Sequence, residues 1–298
     1  MARAVATAPP RVSWSERLGE RARWLRRHPT ILLGLLLLAM MLLIALASPL
    51  FATHDPIRLN PTQRLKPPSF EHWFGTDHLG RDVYSRVIYG SRISLMVGFS
   101  VAAFATVLGL VIGLVTGFIR KLDAIIMRIM DGLMAIPAIL LAIALISLSE
   151  SSIQNVIIAI TIPEVPRMVR LVRSVVLTLR EQLFVDAAVS LGAKLPRILT
   201  FHIMPNTVAP IIVQATYVCA AAIIIEAILS FLGAGTPPDI PSWGNVMAEG
   251  RTYVMIAIWI LLFPGIFLTF TVLGVNLLGD GLRDTLDPRL RRSTGNVG

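Results

Sequence analysis

Apolar residues in this chain fall in long unbroken blocks, with the charged residues standing between them. Six stretches contain no Asp, Glu, Lys or Arg. They are 30–54 (apolar heart 31–51), 93–119, 132–149, 151–163, 198–225 and 252–279. None of these blocks alternates polar and apolar residues as a barrel strand does, so each reads as a helix. A bilayer crossing takes about 20 apolar residues. Five blocks reach or approach that length. The fourth, 151–163, does so only if its helix runs on past Glu164 through 166–171; otherwise the chain has five spans. Pro137 and Pro264 are the candidate helix breaks inside the blocks. The expected fold class is an all-α membrane protein with six transmembrane helices.

Of the 298 residues, 55% are hydrophobic and only 15% charged, where a soluble domain carries about 25% charge. The formal net charge is +9. Such a balance can signal nucleic-acid binding, so the position of each charge decides. With the Arg-rich N-terminal segment on the cytoplasmic side, six crossings return the C-terminus to that side. The inner segments then hold most of the Lys and Arg. The outer ones keep Arg58, Arg64, Lys66, Arg81, Arg86, Arg92 and Arg251. This is the positive-inside bias of a membrane protein, and it leaves no nucleic-acid partner to explain. Ala45-Leu46-Ala47 mimics a signal cleavage site, but Pro49 and the long basic flank favour a retained helix.

The expected organisation is a cytoplasmic tail at 1–30, a first helix with an outer segment at 31–92, a five-helix core at 93–283, and a second cytoplasmic tail at 284–298. In the first tail, 13–27 reads equally as a basic amphipathic helix on anionic lipid or as a solvated flank. In the outer segment, four prolines (Pro56, Pro61, Pro67, Pro68) keep the first half extended, and Asp82 starts a helix. The lone cysteine, Cys219, sits in an apolar run as a small packing residue.

The inner connection 164–206 is patterned rather than loop-like. Phe184, Ala188, Leu191, Leu195, Ile198 and Leu199 recur mostly at steps of three and four. Gly192 suits the residue after a helix, where φ is positive, and Pro196 suits the first turn of the next. Helix, sharp turn, helix is the expectation. An apolar ridge of this kind docks either on a partner or under the chain's own membrane ends.

Chemistry is sparse elsewhere. Lys66, Lys121 and Lys194 are the only lysines, and none sits in a Gly-Lys-Ser/Thr phosphate loop. The histidines form no HExxH pair. His72 and His78 share the outer segment and read as loop polar groups rather than metal ligands. Glu226 is the sharpest intramembrane residue. It either lines or gates a substrate pathway or makes a hydrogen-bonded structural contact. Asp131, at the start of the third block, reads as a helix N-terminal group.

The inner connection resembles a known motif. Asp186-Ala187-Ala188, then Gly192, then His202-Ile203-Met204-Pro205 is similar to the Glu-Ala-Ala loop of ABC importer permeases. Asp186, His202 and Met204 depart from the usual Glu, apolar residue and Leu. Three further runs resemble the dipeptide/oligopeptide branch of that family, in its second-permease type. They are 72–95, with His-Trp-Phe-Gly-Thr-Asp and Gly-Arg-Asp; 229–244, with Leu-Ser-Phe-Leu-Gly and Pro-Ser-Trp-Gly; and 276–289. One stretch, 163–166, departs from the family pattern, so span four is expected to bend differently.

The resemblance implies a non-catalytic subunit in a bacterial inner membrane, with the type I importer permease fold. It pairs with a homologous permease, two cytoplasmic ATPases and a periplasmic or lipid-anchored binding protein. ATP and Mg belong to the ATPases, and this chain binds no cofactor. The element 186–199 would be the coupling helix: Asp186 contacts the ATPase, Ala187 and Ala188 allow close seating, Gly192 allows the turn, and Pro205 closes the motif. His202 would be structural. Peptides are the expected substrates, although relatives also carry nickel chelates and glutathione. The alternative from another class is an ion-coupled carrier working alone. It would usually show repeated halves, which this sequence lacks.

Overall fold

The computed structural model describes residues 28–148 and 150–286. The N-terminal segment 13–27 and Asp287-Pro288-Arg289 lie outside them. Among the described residues the chain is helical, with one isolated bridge between Thr76 and Asp82. The helices are α1 (Pro29–Leu46), α2 (Val83–Phe118), α3 (Arg120–Ala135), α4 (Ala138–Ser147), α5 (Ile153–Leu179), α6 (Leu183–Ser190), α7 (Leu195–Phe231), α8 (Trp243–Gly250) and α9 (Trp259–Leu286). Four of them, α1, α2, α7 and α9, are each long and apolar enough to cross a membrane. The pair α3 and α4 makes a fifth candidate.

Glycines set the two closest helix contacts. Along α2, Gly109, Gly113 and Gly117 face Met168, Val172 and Val176 of α5. A Cβ at Gly113 would lie 2.6 Å from the Val172 Cβ. The period of four on both helices lets the backbones meet, which is how helices associate where lipid offers no hydrophobic drive. Gly34 of α1 meets Gly274 and Leu278 of α9 in the same way, at 2.5 Å from the Leu278 nitrogen.

Two expectations need correction, and one is met. The third block is not one straight helix: α3 and α4 meet at 90° around Ile136 and Pro137. Proline pushes its predecessor into extended backbone, and Ile136 sits at ψ 129°. Pro264, by contrast, lies inside α9 without ending it. Asp131 is not near a helix N-terminus but in the last turns of α3, where its Oδ1 accepts from Arg170 Nη2 at 2.6 Å. The fourth block does extend past Glu164, as one 27-residue helix containing both Pro163 and Pro166.

The outer segment 52–82 folds onto the bundle. Phe74 stacks on Phe263 with centroids 3.9 Å apart, and Trp259 Nε1 donates to the Thr76 carbonyl at 3.1 Å. Trp243 is fully buried and donates to the Val87 carbonyl at 3.1 Å. Large side chains such as Leu36, Phe104 and Val107 stand exposed on the outside of the bundle. That surface suits lipid and partner helices rather than water.

Candidate functional site: the 179–206 connection and the buried polar clusters

The chain leaves α5 at Leu179, and Arg180 ties the exit down by donating to the Gly117 carbonyl at 3.3 Å. Gln182 N-caps α6 with an extended backbone. The helix ends in a Schellman motif: Ala193 N–H reaches the Ala188 carbonyl at 3.0 Å, and Gly192 N–H reaches Val189 at 2.9 Å. Gly192 has φ +78°, and a Cβ built there meets nothing within 4 Å. The helix, turn, helix expectation is therefore met, although the first helix is 183–190 rather than the whole of 186–199.

Two sides of α6 differ. Val185 and Ala188 are buried against the chain itself, while Asp186 and Ala187 are exposed. Leu183 and Leu191 are 85% and 88% exposed, with Phe184 and Val189 beside them. So Ala187 faces outward, and Ala188 instead holds α6 down. Phe184, Ala187, Leu191, Arg197 and His202 line a cleft there. The next helix enters through a π turn at Ile198–Ile203, and Pro205 follows in the first turn of regular helix. Such wide turns accommodate irregular hydrogen bonding, which a proline without an N–H requires.

Glu226 lies on α7 at 0% exposure. Ser94 Oγ of α2 donates to it at 3.0 Å and Ser230 Oγ at 2.9 Å. Ser94 Oγ also accepts from Trp243 N–H, and Ser230 Oγ from Thr236 N–H. Asn245 fastens the same knot, donating to Thr236 and to the carbonyls of Pro237 and Ile240. The carboxyl thus ties α2, α7 and α8 together within one chain. The geometry is that of the structural contact, not of a group opening on a pathway.

A second cluster holds the outer segment. Arg81 bridges Asp77 at 2.6 Å and Glu249 at 2.5 Å, and Arg86 reaches Glu249 at 2.9 Å. Asp82 caps α2 through Ser85 N–H and accepts from His72 Nδ1 at 2.8 Å. With His54 these last two place three donor atoms within 4.8 Å of one another. The His72–Asp82 hydrogen bond already uses two of them in a structural lock. The other such group, Asp77, His78 and Glu249, has Arg81 and Arg86 bound to its carboxylates, which disfavours a cation. Glu249 was not legible in advance, because its partners lie more than 160 residues away.

Outside the apolar blocks, Arg173 forks onto Asp123 at 2.5 and 2.7 Å. Asp123→Asn is expected to cost about 1 kcal/mol, since the pair is partly exposed. A thermal melt in detergent should show the loss.

Residues 93–292 match the family model described as binding-protein-dependent transport system inner membrane component. Residues 18–68 match the N-terminal TM domain of oligopeptide transport permease C. The chain belongs to this family of inner-membrane transport permeases. Among its relatives, a probable peptide ABC transporter permease of Sinorhizobium fredii is 52% identical over 290 residues, covering 97% of this chain and 99% of the relative. The dipeptide transport system permease protein DppC of Alkalihalophilus pseudofirmus is 44% identical over 273 residues, 91% and 90% of the two chains. The oligopeptide transport system permease protein OppC of Bacillus subtilis is 40% identical over 268 residues, 90% and 88%. A solved structure of the MetNI methionine ABC transporter in an inward-facing conformation shares the fold. Its TM-score is 0.56 at 20% identity, covering 67% of this chain and 96% of that one. The family and these relatives fit the ATP-driven reading, and none of them is an ion-coupled carrier.

Proposed function

We propose that this chain forms half of the translocation pathway of an ATP-driven peptide importer. Its relatives named for peptide, dipeptide and oligopeptide transport support that substrate class. In this reading α1, α2, the bent pair α3 and α4, α5, α7 and α9 make six crossings. Both ends lie in the cytoplasm, 1–30 and 284–298 as tails, and the core is 93–283. The 52–82 segment and α8 face the periplasm, where a loaded binding protein docks. The chain is non-catalytic. Two ATP-binding subunits hydrolyse ATP with Mg below the membrane, and a homologous permease completes the pathway.

The exposed face of α6 carries the coupling assignment. A soluble-side helix showing Leu183, Phe184, Val189 and Leu191 to water is costly unless a partner covers it. Asp186 and Ala187 lie on the exposed side, Gly192 makes the turn, and Ala188 and Pro205 fix its frame. ATP-driven closure of the ATPases would pull this helix and rock the spans between inward-open and outward-open. Affinity purification of the tagged chain from its own membranes should bring down two ATP-binding subunits and a second permease. Recovery of the chain without any ATPase would contradict the proposal.

A further inference from the structure

Arg167 stands apart among the charges of α5. It lies 14 positions along from Ile153 in a 27-residue helix, about 21 Å from its outer end. Gly109 of α2 packs on Met168, which sets Arg167 beside the middle of the apolar run 93–119. In the six-crossing reading, then, the 164–206 segment begins inside the span and Arg167 lies at that depth. Its side chain is nevertheless 49% exposed. Below it, Arg170 and Arg173 each take an acid from α3, Asp131 and Asp123. Arg167 takes one from its own helix: Nη1 alone donates to both oxygens of Glu164, at 3.3 Å each. Glu164 is fully buried. Among the described residues Arg167 has no other hydrogen-bond partner, so one edge of the guanidinium is held and the other is open.

A half-exposed guanidinium at mid-membrane depth does not face lipid. Such groups turn to an aqueous path or a partner. Met168 and Val172 pack on Gly109 and Gly113 of α2, and Arg167 shares the opposite face of the helix with Arg170 and Ser174. A guanidinium with a free edge is the fork that a carboxylate fits in a bidentate manner.

We propose that Arg167, positioned by Glu164, is a binding site for a substrate carboxylate in the translocation pathway. The inference rests on the importer reading. The carboxylate is either the C-terminus of a peptide or an acidic side chain within it.

The test uses the complete complex in proteoliposomes, with binding protein saturated by each peptide in turn. The peptides are a tri-alanine with a free C-terminus, its C-terminal amide, and an amide carrying one Glu. Wild type is expected to import a free acid about tenfold faster than the plain amide, and the Glu-containing amide tells the two carboxylate sources apart. Arg167→Gln should remove that preference, and Arg167→Lys should restore part of it. Glu164→Gln/Arg167→Gln serves as a second neutral variant in case the single one assembles poorly. In a Cys219→Ala background, Arg167→Cys should react with an aqueous anionic methanethiosulfonate and be protected by the free-acid peptide. A wild-type complex that imports nothing overturns the importer reading itself. Wild-type import with the free-acid preference intact in Arg167→Gln overturns this inference alone. So does a thiol in the Arg167→Cys variant that aqueous reagent never reaches, or loss of assembly in every variant, since both place Arg167 against the partner permease.

Discussion

Gly192→Trp is expected to abolish the stimulation of ATP hydrolysis by loaded binding protein while the subunits still assemble. The turn at Gly192 has φ +78°, and a Cβ there meets nothing of this chain within 4 Å. A side chain at this position therefore starts into open space. Its cost inside the chain is the left-handed backbone, about 1–2 kcal/mol, which Gly192→Ala carries equally. Comparing Trp with Ala therefore isolates the effect of side-chain bulk from that of the backbone. If α6 seats on an ATPase, the indole props the seat open and cuts a coupling energy typical of linked sites, about 5–150-fold. ATPase activity with and without loaded binding protein reads this directly. Trp and Ala variants that behave alike would remove the partner from the argument.

Gly113→Leu should be the most damaging substitution for the fold. Its Cβ would lie 2.6 Å from the Val172 Cβ and 3.0 Å from the Val169 carbonyl, so neither neighbour can turn away by a rotamer change. Overpacking a tight core costs about 1–3 kcal/mol, and here backbone must move, so the upper end applies. The α2–α5 contact opens, and with it the frame that presents α6. Loss of folded protein in a detergent melt is the readout. Gly113→Ala with Val172→Gly exchanges the small residue across the contact and should recover most of the loss incurred by Gly113→Ala alone. Without that coupling, the glycine row would not be the seam that joins these helices.

Much of the helix layout was legible in the sequence because lipid-facing helices announce themselves by composition. The blocks at 30–54, 93–119, 198–225 and 252–279 all recur as long helices. Composition is blind to direction, however. The block 132–149 is apolar throughout, yet Pro137 turns the chain by 90° while Pro264 does not break α9. Pro264 is buried in the bundle while Pro137 is exposed, a contrast that the sequence does not state. Charge boundaries misled in the same way: Asp131 read as a helix N-terminal group because it flanks an apolar run, while α3 runs through it to Ala135. The turn after α6 was legible because it is local: Gly192 N–H closes on Val189 and Ala193 N–H on Ala188. The Glu226 knot was not, since Ser94 and Trp243 reach it from 132 and 17 positions away in sequence, and only the fold brings them together.

The account stands most directly on uptake. The complex purified with its ATPases and permease partner, in sealed vesicles, should accumulate labelled peptide only with ATP inside reach of the ATPases and loaded binding protein on the opposite side. Accumulation that follows an imposed ion gradient without ATP, or no peptide movement under either drive, would contradict it.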